Sequence, residues 1–75
     1  MTYSAILLAQ GTALNKPTFA NWSALVSVCI AAERAVRDQP FLGRSEFSQL
    51  DLISAARWTA DAQCKSFAAR DRVAA

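Results

Sequence analysis

The chain has 75 residues, of which 53% are hydrophobic and 19% charged, and its net charge is +2. This composition excludes intrinsic disorder, and the weak charge imbalance argues against a polyanion-binding groove. A single domain this small, residues 1–75, buries only about 60% of the surface that its unfolded chain exposes. We therefore expect oligomerisation to add stability.

The first predicted element is a short helix over residues 2–10, with Thr2 as its N-cap and Gly11 as its left-handed stop. An isolated helix shorter than about 12 to 15 residues is marginal in water, so this one has to dock on a larger element. Pro17 disfavours helical backbone for the residue before it and separates this helix from the next. The predicted docking face carries Tyr3, Ile6 and Leu7.

A second helix is predicted over residues 18–38, capped by Thr18 or Asn21 and ended before Pro40 and Gly43. Its pattern predicts burial over well more than half of its circumference, because a second apolar flank adjoins the core face. Within its polar strip, Glu33 and Arg37 are spaced for an ion pair. The predicted core face consists of Trp22, Leu25, Cys29, Ala32 and Val36, and the second flank of Ala24, Val28, Ala31 and Ala35.

A third helix is predicted over residues 45–72, after a loop whose Phe41 and Leu42 we expect to pack over the end of the hairpin. Ser48 with Asp51 resembles a capping box, which would start the helix later, but a start at Ser45 is also allowed. The core face repeats at three- and four-residue spacings. It contains Leu50, Ile53, Ala56, Ala60, Cys64 and Phe67.

These elements predict an all-α fold in which a short N-terminal helix accompanies an antiparallel hairpin of two long helices. A further line of small residues at seven-residue spacing lies on helix three away from the core face. Such a line lets two helices approach closely, so we expect dimerisation to complete a four-helix-type bundle. The line consists of Ala55, Ala62 and Ala69, joined by Trp58 and Val73.

Nothing in the residues points to catalysis, a metal or a cofactor. Histidine is absent, and the same helix carries Cys64 and Lys65 side by side, where neighbours do not face each other. Cys29 and Cys64 are expected to be free, buried thiols in a cytoplasmic protein, since no signal peptide or membrane span is apparent.

We therefore expect a non-catalytic interaction module, a small adaptor, regulator or inhibitor that binds a larger protein through a helical face. Proteins of this size are also found among those encoded by phages and plasmids. Arginine and tryptophan are common at interface hot spots, although Trp58 could instead be ordinary core. Whether the face is a homodimer seam or a site for a larger protein stays open. A helix-turn-helix nucleic-acid-binding regulator is the alternative, weakened by the long loop. The predicted interface comprises Ala55, Arg57, Trp58, Ala62, Lys65 and Ala69.

Overall fold

The computed structural model describes the backbone of residues 2–74 and the side chains of residues 4–70. This part of the chain is all-helical, as predicted, and contains α1 (Thr2–Asn15), α2 (Phe19–Arg37) and α3 (Arg44–Ala74). The two long helices pack together as the predicted hairpin, and α1 lies mainly against α2. The molecule measures 48 × 19 × 15 Å. Its length is set by α3, which spans about 46 Å at 1.5 Å per residue.

The α1 helix is longer than the sequence pattern indicates, and the prediction that Gly11 ends it is wrong. The glycines in the described chain have no positive φ, and α1 continues through Gly11 to Asn15. Tertiary packing explains the extra turn, because Ile6 and Ala13, one heptad apart, are both buried. Glycine permits a left-handed stop but does not impose one. The side chains of Thr2 and Tyr3 lie outside the described residues.

Between α1 and α2 the chain turns at Pro17, as predicted, and Thr18 is the N-cap of α2. The Thr18 hydroxyl oxygen accepts a hydrogen bond from the backbone N–H of Asn21 at 3.1 Å. The side chain of Asn21 instead donates to the carbonyl oxygen of Lys16 at 2.8 Å. Each polar side chain therefore satisfies a different backbone group at the turn between α1 and α2.

The α3 helix begins at Arg44, one residue before the predicted start, so Ser48 and Asp51 lie inside the helix and do not form a capping box. The carboxylate of Glu46 accepts a hydrogen bond from the backbone N–H of Gly43 at 3.0 Å. An acidic side chain in the first turn also interacts favourably with the helix dipole. Glu46 thus supplies half of a capping box at a position that the sequence pattern did not single out.

The hydrophobic core lies along the seam between α2 and α3, with Ile6 and Ala13 of α1 added at one side. All five residues predicted for the core face of α2 are buried. The predicted core face of α3 is also confirmed, since its residues are either buried or packed against the buried cluster. That face comprises Leu50, Ile53, Ala56, Ala60, Cys64 and Phe67.

In α2 and in the loop that follows it, two predictions of burial are wrong. In the second flank of α2 only Val28 packs against the core, while Ala24, Ala31 and Ala35 are exposed. In the loop before α3, Leu42 packs against the core as predicted, but Phe41 is 75% exposed. One small helix cannot cover both sides of a hairpin, so apolar residues remain at the surface.

Candidate protein-interaction surface

The outer face of α3 is the surface that points away from the hairpin seam. Its residues recur at three- and four-residue spacings on the side of α3 opposite to the buried Ile53 and Ala60. All of them are exposed, and five of the six were predicted from the sequence as interface residues. The outer face consists of Asp51, Ala55, Trp58, Ala62, Lys65 and Ala69. The side chain of Val73, expected to join this line, lies outside the described residues.

Trp58 lies near the middle of α3 and is 81% exposed, the highest value among the large exposed hydrophobic side chains. It is therefore not an ordinary core residue within a single chain. A shallow, half-open depression of about 390 Å³ lies beside it on the surface of α3 and is lined by Trp58, Asp61, Ala62 and Lys65. Among the described residues no second helix walls this depression, so Trp58 is a large apolar side chain left uncovered at the middle of the outer face.

Arg57, the sixth predicted interface residue, lies on the flank of α3 and is tied to α2. Its guanidinium Nη1 donates to Glu33 Oε2 at 3.2 Å, and its Nε lies 3.8 Å from Asp61 Oδ2. Glu33 Oε1 also pairs with Arg37 Nε at 3.1 Å, which confirms the predicted pair within α2. This chain of charges connects α2 to α3 across the hairpin. Its role in a protein interface stays a prediction.

Two charges on the outer face of α3 have no such partner. The ion pairs between described residues involve Glu33, Arg37, Arg57 and Asp61, and include neither Asp51 nor Lys65. Asp51 precedes Trp58 by seven residues, and Lys65 follows it by seven. Asp51 was not among the predicted interface residues. The signal that could have identified it is the seven-residue spacing of Asp51, Trp58 and Lys65, which runs beside the alanine line on the same side of α3.

The two thiols are free, as predicted, and only Cys29 is fully buried, whereas Cys64 is half-buried. Burial raises the pKa of the Cys29 thiol, an effect that Arg57 opposes and Asp61 reinforces. Burial and then the nearby Asp61 carboxylate raise the pKa of Cys64. Lys65 is exposed on the outer face and is not among the groups that shift the pKa of Cys64. Both thiols therefore remain protonated and weakly nucleophilic at neutral pH.

Exposed apolar side chains also lie on α1, namely Leu7, Leu8 and Leu14. Leu7 was predicted to share the docking face with Ile6, but only Ile6 is buried. Because α1 is apolar on nearly every side, its pattern could not decide which side docks. These leucine residues lie on a different helix from Trp58.

Comparisons with protein families, with curated proteins and with solved structures find no match for this chain. Within residues 2–74, no helix is both long enough and apolar enough to cross a membrane. The described side chains contain no cluster of three or more residues that could hold a metal ion. The surface of the molecule itself is thus the source of functional information.

Proposed function

We propose that this protein is a non-catalytic interaction module, a small adaptor, regulator or inhibitor, that binds another protein through the outer face of α3. The observation that carries the proposal is the 81% exposure of Trp58 in the middle of a regular helix. Tryptophan is enriched at interface hot spots because one side chain combines a large apolar area with little conformational entropy.

The size of the accessible surface supports the same proposal. The chain exposes 5376 Å², whereas a compact protein of 8.1 kDa exposes about 4,500 Å². The excess of roughly 900 Å² is close to the roughly 800 Å² that each partner buries in an interface of standard size. A chain with this much surface gains stability when a partner covers part of it.

The groups around the outer face also favour binding over catalysis. Cys64, which packs against the core from the same helix, has a thiol whose pKa is raised, which is the opposite of what a nucleophile at neutral pH needs. Arg57 is paired with Glu33 and Asp61, so the outer face of α3 does not present a row of unpaired basic side chains. This balance gives the helix-turn-helix alternative less support than a protein partner.

The test is binding by a Trp58→Ala variant compared with the wild-type chain. Each chain is immobilised, captured proteins are identified by mass spectrometry, and the affinity of each is measured with purified components. We expect the variant to lose at least tenfold in affinity, as a hot-spot truncation does. Phe41→Ala is the matched control, because Phe41 is another exposed aromatic side chain, located in the loop before α3 and not on the outer face of that helix. Equal binding by folded Trp58→Ala and wild-type chains would exclude this face as the site.

A further inference from the structure

The outer face of α3 is complementary to itself when it is turned end for end. Asp51 and Lys65 stand seven residues to either side of Trp58, which is about 10 Å along the helix axis. They carry opposite charges, are exposed, and take no part in the ion pairs between described residues. A twofold axis at Trp58 therefore brings each aspartate opposite the lysine of the other copy, forming two equivalent pairs.

The same arrangement matches large side chains with small ones. Phe47 lies about three helical turns before Trp58 and is exposed on the same side of α3. In the antiparallel pairing it comes opposite Ala69 of the second copy. The two Trp58 rings meet at the axis, where offset stacking of aromatic rings is favourable. The small side chains of Ala55 and Ala62 leave room for them beside the helix backbones.

The length of the helix favours this register as well. The α3 helix runs from residue 44 to residue 74, so Trp58 is close to its midpoint. Antiparallel helices that cross at their midpoints overlap along their whole length, whereas a shifted register leaves an end of each outer face uncovered. Full overlap suits a chain whose surplus surface, roughly 900 Å², is about what each partner in a standard interface buries.

We infer that the partner of the outer face of α3 is a second copy of this chain, bound antiparallel about Trp58 with reciprocal Asp51–Lys65 ion pairs. This inference rests on the proposed function for the location of the face, and it names the occupant. The two hairpins then form a four-helix arrangement with the α3 helices at its centre.

Charge exchange tests the inference directly. In Asp51→Lys the new lysine faces Lys65 of the other copy, and in Lys65→Asp two aspartates face each other. Each variant alone should dimerise roughly tenfold more weakly than the wild type, with a smaller difference at high salt. An equimolar mixture of the two variants should restore association, because opposite charges then meet at both sites. The double variant should also recover.

Analytical ultracentrifugation over a concentration series gives the dissociation constants, and circular dichroism checks that every variant keeps its helicity. Arg34→Asp is the matched control, since it makes the same charge change as Lys65→Asp on an exposed position of α2. It should dimerise as the wild type does. A monomeric wild type, or single variants that dimerise as tightly as the wild type, would overturn the inference. Failure of the mixture to recover would overturn the antiparallel register.

The binding measurement with Trp58→Ala separates this inference from the proposed function. If the wild-type chain is monomeric and Trp58→Ala no longer binds the captured protein, the second-copy inference is wrong, but the outer face of α3 remains the binding site. If Trp58→Ala dimerises and binds the captured protein as the wild type does, both the second-copy inference and the proposed function are wrong. Loss of dimerisation in Trp58→Ala, together with recovery in the charge-exchanged mixture, would support both.

Discussion

Replacing Gly11 with alanine should stabilise the protein, because Gly11 is an interior residue of a helix and not its stop. Its φ is not positive, and a Cβ atom built there meets nothing within 4 Å. In a helix interior, glycine is about 0.8 to 1.0 kcal/mol less favourable than alanine. The expected gain is therefore about 1 kcal/mol. For a domain of this size that raises the melting temperature by roughly 4 to 8 °C.

Thermal unfolding followed by circular dichroism at one fixed protein concentration measures this gain, with Gly43→Ala as the control. A Cβ at Gly43 would lie 3.1 Å from the Phe41 ring and 3.3 Å from the Glu46 carboxylate. Glycine is also a better residue than alanine just before a helix, so Gly43→Ala should give no stabilisation. If Gly11→Ala loses stability, Gly11 does end α1, and the explanation that the docking of Ala13 extends α1 is wrong.

Four further predictions concern the core, the charges and the two thiols. Leu25→Ala should cost about 2 to 5 kcal/mol in urea unfolding, whereas Leu52→Ala, at a position 52% exposed, should change stability by no more than about 0.5 kcal/mol. Glu33→Gln removes two partly exposed ion pairs and should cost about 0.5 to 1 kcal/mol, less at high salt; a cost independent of salt would contradict this. In the native protein Cys64 should be alkylated before Cys29, as peptide mapping can check. Burial raises the pKa of Cys29 above its ordinary 9.0. The contribution of Cys29 to the free energy of unfolding should therefore be fully present below pH 9. It should fall as the pH rises above 9, because the thiol then ionises in the unfolded chain before it does so in the folded one. A fall that is equally steep in Cys29→Ala would assign this effect to other groups.

The helices and their core faces could be predicted from the sequence because both depend on local information. A repeat of apolar residues at three- and four-residue spacings defines one side of a helix wherever that helix packs. The pattern therefore identified every buried residue of α2 and the register of the Glu33–Arg37 pair. Pro17 and Thr18 likewise act on their immediate neighbours, and the turn between α1 and α2 lies where they place it.

The tertiary structure decided which apolar surfaces stay uncovered. Alanine residues on the second flank of α2 and leucine residues on α1 are as apolar as buried ones, and only packing geometry shows that they are exposed. The continuation of α1 through Gly11 also required the docking of Ala13, a contact between distant parts of the chain. Local patterns specify which side of a helix can be buried. How much is buried depends on how many helices are present to cover it, which is why Trp58 remains exposed in the single chain.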